Sequence, residues 1–391
     1  MLRWLTAGES HGPCLTGIVE GMPAGVPLTA DDLGRDLWRR QQGYGRGGRM
    51  KIESDHAEIL GGVWRGKTTG GPIALRIENR DWPNWKDKEY DLPRMTVPRP
   101  GHADLAGVYK YGFDDIRPVL ERASARETAM RVAVGGVAKQ LLAEFGITIR
   151  SQVLRIGQAK ATPGDLSDPA VVERVEASVV RVADPESEER LKAAVDAAKD
   201  RRDTLGGVFE VVAFGVMPGL GSHVQWDRKL DGRLAQAVMS IQAIKAVAIG
   251  DGFVAGERYG TEAHDGITMR NGRVERLTNR AGGLEGGITN GEPVVVRVVK
   301  KPISTTATPQ PTVDLDTLED VPSQYVRSDV CAVPAAAVIG EAMVAVVLAD
   351  ALLEKFGSDS IEQMRTNVNG FLESIKTWWR PSSEAVESAH T

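Results

Sequence analysis

Two arginines bracket a serine in Leu120-Glu121-Arg122-Ala123-Ser124-Ala125-Arg126. Ser124 is followed three residues later by Glu127 and then by a long Ala/Val/Gly-rich run, the pattern of a capping box that opens a helix. A helix start offers unpaired N–H groups and partial positive charge. Two guanidinium groups beside it make a site for a phosphate or a carboxylate. Taken alone, the same segment also reads as a solvated helix start.

Other segments carry matching chemistry. Arg39-Arg40-Gln41-Gln42-Gly43-Tyr44-Gly45-Arg46-Gly47-Gly48-Arg49 places four arginines in eleven positions, with glycines that let backbone and guanidinium groups close around an anion. The bare pattern also suits a short Arg-Gly nucleic-acid segment. Gly8-Glu9-Ser10-His11-Gly12 and Arg99-Pro100-Gly101-His102-Ala103-Asp104 each put a histidine in a turn, where it can move a proton near neutral pH. Either histidine alone could equally stabilise its turn. Together with the arginines, they point to catalysis. Arg327-Ser328-Asp329 sets a carboxylate beside a cation, and Lys300-Lys301-Pro302-Ile303-Ser304-Thr305 ends a strand with cations and hydroxyls suited to a phosphate or carbonyl. Gly282-Gly283-Leu284-Glu285-Gly286-Gly287 is a turn on which a flat ligand could lie. No His/Cys cluster has metal-ligand spacing, and there is no Walker or Gly-x-Gly-x-x-Gly pattern.

The elements that must position these groups follow from periodicity and punctuation. Strands are predicted over 2–7 and 14–20, flanking the Gly8–Gly12 turn, and over 57–63, 72–78, 207–216 and 292–299. Thr29, Asp31 and Asp32 open a helix that runs to Gln42 and stops at Gly43. Helices are also predicted over 125–145, 186–200 and 228–245. The first of these is apolar nearly all round, and Gly135-Gly136 lets another helix come close. Residues 79–115, with Pro83, Pro93, Pro98 and Pro100, read as a long ordered loop of the functional kind. A last buried helix runs from Pro334 to Phe356 and stops at Gly357. Glu341 and Asp350 interrupt its apolar run, so it reads as a core helix and not as a membrane span. The helix ends at Leu141–Gly146 and Leu352–Gly357 echo one another, a weak hint of two similar halves. Buried helices among half-buried strands suggest helices sandwiched between sheets.

Composition narrows the class. The 391 residues are 42% apolar and 26% charged, with a net charge of −5. Those are the values of a soluble globular protein without a global pull toward nucleic acid or anionic lipid. Any basic site must be a local cluster. Two cysteines fit a reducing cytoplasm, and Met1–Thr6 has no signal-peptide pattern.

Taken in order, the Gly8–Gly12, Arg39–Gly47, Arg99–Asp104, Glu121–Thr128, Lys301–Thr305 and Arg327–Asp329 segments closely resemble the chorismate synthase family of the bacterial type, over about residues 1–375. The resemblance implies an α+β fold, a β-α-β sandwich with a helical core flanked by two antiparallel sheets. It implies a homotetramer and a single domain, read as residues 1–379; the polar, aperiodic residues 380–391 read from composition as a flexible tail. The implied reaction is an anti-1,4-elimination of phosphate and a ring proton from 5-enolpyruvylshikimate 3-phosphate to give chorismate. Reduced FMN is needed without net redox change. NADPH would serve as reductant, with a separate flavin reductase as the other route.

The resemblance also assigns roles. Arg40, Arg46, Arg49, Arg126 and Arg327 hold the substrate anions, and Arg327 also meets the cofactor. His11 protonates the departing phosphate, His102 steadies the flavin charge, and Asp329 relays the ring proton through the flavin. FMN is held by Arg122, Ala123, Ser124, Gln242, Ala243, Gly286, Lys301, Pro302, Ile303, Ser304 and Thr305. Two rival readings stand beside this one: a nucleic-acid binder built on Arg39–Arg49, and a flavoenzyme doing net redox chemistry on an anionic substrate.

Overall fold

The computed structural model describes residues 1–47, 54–88, 92–270, 273–325, 329–357 and 359–377. The first half contains β1 (Arg3–Ala7), β2 (Cys14–Glu20), α1 (Ala30–Gln41), β3 (Ala57–Gly61), a small hairpin of β4 (Val63–Trp64) and β5 (Lys67–Thr68), β6 (Ile73–Glu78), α2 (Asp104–Tyr111), α3 (Arg117–Ala123) and α4 (Thr128–Ala143). The second half continues with β7 (Thr148–Ile156), β8 (Ala159–Lys160), α5 (Pro169–Ala177), α6 (Pro185–Asp200), β9 (Gly207–Phe214), α7 (Leu230–Met239) and β10 (Ile244–Ile249). After α8 (Gly260–Ala263) come two hairpins, β11 (Ile267–Arg270) with β12 (Arg273–Arg276) and β13 (Leu284–Glu285) with β14 (Ile288–Thr289). The chain then forms β15 (Val294–Lys300), β16 (Pro311–Asp314), β17 (Glu319–Pro322), α9 (Val333–Phe356) and α10 (Ile361–Thr377).

Two antiparallel sheets dominate. One has the order β1-β2-β6-β3, the other β8-β7-β9-β15-β10. Read from β7, the second sheet repeats the strand order of the first. The elements between also match, since α1 and α4 occupy the places that α7 and α9 hold in the second half.

Three glycines trace the packing between the sheets. A side chain at Gly17 of β2 would run into Met130 of α4, with Sδ at 2.6 Å. One at Gly135 of α4 would meet the Ala342 Cβ of α9 at 2.3 Å, and one at Gly340 of α9 would meet Phe209 of β9 at 2.8 Å. The path therefore runs from the first sheet through α4 and α9 to the second sheet. Gly136 faces Leu33 of α1, so both glycines of the predicted pair admit a helix. Bare backbone at such points brings elements into close contact along their length. Residues of α9 are buried except near its C-terminal end, at Asp350, Glu354 and Lys355, and this helix, although long and apolar enough to cross a membrane, lies within the core.

Several sequence expectations are corrected. The 228–245 helix ends at Met239, and Ile244 opens β10 instead. Between them Ala243 takes a left-handed conformation with φ of 67°, which no helix interior can hold. The loop over 79–115 contains α2, which the proline spacing concealed. Ser124 does cap, accepting from Arg126 N, but it opens a single 3₁₀ turn (Ala125–Glu127) that leads into α4 and follows directly on α3. Glu127 does not close the capping box. Its carboxylate is turned toward Thr6, Arg131 and Gln242. Residues 380–391 lie outside the described residues.

Two helix glycines have opposite predicted effects. Gly135→Ala forces α4 and α9 apart and should cost about 2 kcal/mol or more, as overpacking does. Gly34→Ala in α1 meets nothing within 4 Å and should stabilise by about 0.5–1 kcal/mol. Urea unfolding of the two variants, followed by far-UV circular dichroism, checks both signs.

Candidate active site

The Gly8–Gly12 turn between β1 and β2 is held from the far side by α3. Glu121 accepts from both the His11 backbone N–H and the His11 Nδ1, each at 2.7 Å, and its own carbonyl accepts from Ser10 N. The imidazole lies 4.1 Å from the Trp85 ring, centroid to centroid. Burial would raise the Glu121 carboxyl, but its hydrogen bond and charge interaction with His11 hold it below the usual carboxylate range. Glu121 thus fixes the imidazole through Nδ1 and sets the orientation of the ring. Ser124 Oγ donates to Ser10 Oγ at 3.2 Å, and the Arg122 guanidinium donates to the carbonyls of Thr6 and Gly8.

His102 sits in a comparable arrangement. Its Nδ1 lies 2.5 Å from Asp104 Oδ1 and 2.9 Å from Arg99 Nη2, while Arg99 Nε donates to Asp104 Oδ2 at 2.8 Å. Burial would raise Asp104, yet the hydrogen bonds and charges of His102 and Arg99 hold it well below the usual carboxylate range. The turn is docked on the loop after β15, because both Lys301 Nζ and Ser304 Oγ donate to the Gly101 carbonyl.

From Lys301 a continuous path of contacts leads back to His11. Lys301 N donates to the Ala243 carbonyl at 2.9 Å. Gln242 Nε2 donates to Glu127 at 3.0 Å, and the other oxygen of Glu127 accepts from Thr6 Oγ1 at 2.7 Å. Arg122 donates to the same Thr6 hydroxyl at 3.0 Å. So His11, Arg122, Ser124, Gln242, Ala243, Lys301, Ser304 and His102 are brought together, from both halves of the chain. The Gln242 carbonyl oxygen is buried and without a partner among the described residues. Ile303 follows on the same loop, its carbonyl accepting from Thr204 Oγ1. Gly286 is not brought there. It lies in the turn of the β13–β14 hairpin, beyond the Val294 end of β15, whereas Lys301 follows its Lys300 end. Seven strand residues separate those ends by roughly 20 Å.

The arginines form two buried clusters. Arg40 donates from Nε to Thr128 Oγ1 at 3.0 Å and from Nη2 to the Ala125 carbonyl at 3.1 Å, and its Nη1 lies 3.3 Å from Asp55. Arg126 Nη1 donates to the other oxygen of Asp55 at 2.5 Å. Two cations thus share one carboxylate. In the second cluster Asp329 accepts from Gly47 N at 2.6 Å and pairs with Arg46 at 3.2 Å. The loop that carries Arg46 is tied to the start of α9 by a hydrogen bond from Val330 N to the Gly45 carbonyl. Lys300, also buried, adds a second cation here. Each cluster gathers cations around an aspartate, a donor set suited to a polyanionic ligand. A cavity of about 520 Å³ opens beside Arg46, Asp329, Thr204 and Thr305. Arg49 and Arg327 lie outside the described residues.

Sequence reasoning gave no role to Asp55, Glu121, Asp104 or Glu127. The last three lie within quoted motifs, and the His102-x-Asp104 spacing was a usable signal. Asp55 had none.

Two sheets packed on core helices, with two carboxylate-bound histidines and buried arginine clusters drawn from both halves, define an enzyme that does proton chemistry on a small polyanion. Comparison with known proteins makes this specific. Residues 2–353 match the chorismate synthase family. The chain is 54% identical to the chorismate synthase of Salinispora tropica, over 96% of this chain and 99% of that one. It is 52% identical to that of Aquifex aeolicus, with 96% and 99% covered. A crystal structure of a chorismate synthase, 46% identical, matches with a TM-score of 0.79 over 96% of this chain and 99% of the other. The chain belongs to the chorismate synthase family. It is a lyase that eliminates phosphate from 5-enolpyruvylshikimate 3-phosphate to give chorismate, the last step of the shikimate pathway.

Lys300 generates a prediction of its own. Burial, helped by Arg46 and Lys301 and opposed by Cys331 and Asp329, pushes its ammonium down from 10.5 to about 8. Below pH 8 the amine is charged in folded and unfolded chains alike, and the fold bears the full penalty. Above 10.5 it is neutral in both, and the penalty is gone. Lys300→Met should therefore stabilise the protein at pH 7, by up to about 3 kcal/mol for a shift of this size. The gain should fade between pH 8 and 10.5. Chemical denaturation at several pH values measures it.

Proposed function

We propose that the elimination is carried out by the residues of the two clusters and the two histidine turns. Arg40, Arg46 and Arg126, with Arg49 and Arg327, hold the phosphate and two carboxylates of the substrate. His11 protonates the departing phosphate, with its ring held in place by Glu121. Asp329 takes the ring proton at its carboxylate, in a position set by Gly47 and Arg46. Placing cations before reaction stabilises charge as it develops on the leaving phosphate. The observation that carries this reading is the unbroken path of contacts joining His11 to His102 through the residues expected to hold a flavin.

The family uses reduced flavin, and we read the cofactor as reduced FMN. Its holders would be Arg122, Ala123, Ser124, Gln242, Ala243 and the Lys301–Thr305 loop, with Pro302 and Ile303 shaping that loop. The fit is supported by the buried Gln242 oxygen, which lacks a donor among the described residues, and by Lys301 and Ser304 converging at Gly101. When bound, the flavin supplies transient electron density to the departing phosphate without net redox change. His102 would steady its charge. Gly286, remote from the other holders in this chain, would act on the flavin of a neighbouring subunit in a homotetramer.

The chain is read as one domain over 1–379, a β-α-β sandwich of two similar halves, supported by the matching strand orders. Net charge and cysteine usage support a cytoplasmic location. NADPH is the proposed source of electrons, used directly or through a separate flavin reductase.

Asp329→Asn tests the proton role. The variant keeps shape and most hydrogen bonding, so FMN and substrate affinity should stay within about threefold while turnover falls at least about 100-fold. Single-turnover phosphate release with prereduced FMN is the measurement. Release at the wild-type rate would remove Asp329 from the mechanism. Consumption of reductant in proportion to phosphate would favour the net-redox reading instead.

A further inference from the structure

Glu341 lies within the apolar, buried stretch of α9 and has no exposure to solvent. Its Oε1 and Oε2 accept from the two terminal nitrogens of Arg39 at 2.7 and 2.8 Å. Lys139 of α4 and Ser151 of β7 donate to it at 2.7 and 2.6 Å. Stability alone does not explain such a group. A buried ion pair is on average no more stabilising than apolar side chains of the same volume.

What the carboxylate holds is informative. Arg39 makes five hydrogen bonds: two to Glu341, two to Glu176 at 2.7 and 2.8 Å, and one to Asp36 at 2.6 Å. A guanidinium has five N–H donors, so none remains for a ligand. The neighbouring Arg40 is turned by about 100° around the helix and points instead to Asp55, Thr128 and the Ala125 carbonyl. One residue beyond α1, Gln42 N donates to the Arg39 carbonyl. The chain then enters the Gly43–Gly47 loop that carries Arg46. The last turn of α1 is therefore clamped at Arg39, between two residues of differing duty.

We propose that Glu341 is a positioning residue for the elimination: by saturating Arg39 it fixes the exit of α1 and so aims Arg40 at the substrate anion. The proposal rests on the reading of Arg40 as a substrate contact. The two can be separated by experiment.

Steady-state kinetics with prereduced FMN would compare Glu341→Gln, Arg40→Ala and the double variant. The expected result is a KM for 5-enolpyruvylshikimate 3-phosphate raised about tenfold in each single variant, with kcat changed less and FMN affinity nearly constant. The double variant should be no worse than Arg40→Ala, because both changes act through one contact. Multiplying effects, or an unchanged KM in Glu341→Gln beside a raised one in Arg40→Ala, overturns the proposal. An unchanged KM in Arg40→Ala retires the substrate role of Arg40, and the proposal with it. Should Glu341→Gln fail to fold, Glu176→Gln at the half-exposed rim of the same clamp carries the test. There a KM raised about threefold supports the proposal, and a wild-type KM overturns it.

Discussion

The contact between α4 and α9 is the constraint on which the molecule depends. It is made where Gly135 meets Ala342 without an intervening side chain, and each sheet rests on one of the two helices. Each helix also begins at a functional segment. The residues before α4 supply Arg122, Ser124 and Arg126, and those before α9 supply Asp329. Moving the helices apart by a methyl group would displace the two arginine clusters relative to one another as well as loosen the core.

The second constraint is electrostatic. This is an acidic protein that must hold a polyanion, and it gathers arginines in two local clusters. Asp55 serves two arginines, and Asp329 is met by Arg46 with Lys300 nearby. Arg39 is the opposite case, met by three carboxylates and removed from ligand chemistry. Adjacent arginines on one helix are thus directed to different partners.

Much of this was legible in the residues. Alternation gave β3 and β6, the Gly8–Gly12 turn gave its flanking strands β1 and β2, and β-branched residues gave β9 and β15. The capping residues gave α1, and the glycine pair announced the helix contact. The rest had physical reasons to stay hidden. Ile244–Ile249 is apolar except for Lys245 and follows a helical pattern, so periodicity could not separate strand from helix. In β7 the buried Ser151 and Gln152 break the apolar signal, since their partners are side chains and carbonyls elsewhere. The motifs named the histidines but not which neighbouring carboxylate would orient them. Glu341 read only as a break in an apolar run, because its main partner is 302 residues away.

The distance in sequence between α4 and α9 has a consequence for biosynthesis. Between Ala143 and Val333 lie about 190 residues, which a ribosome adds in roughly 10–40 s. During that interval the nascent chain presents an apolar helix whose long partner has not been made. Contacts so far apart in sequence also form slowly once both parts exist. The newly made chain is therefore a natural client for holding chaperones, and its ligands can give no help, since Asp329 and the Lys301–Thr305 loop emerge late. Slow synthesis near the C-terminus would prolong this exposure, whereas slow synthesis near the N-terminus would not.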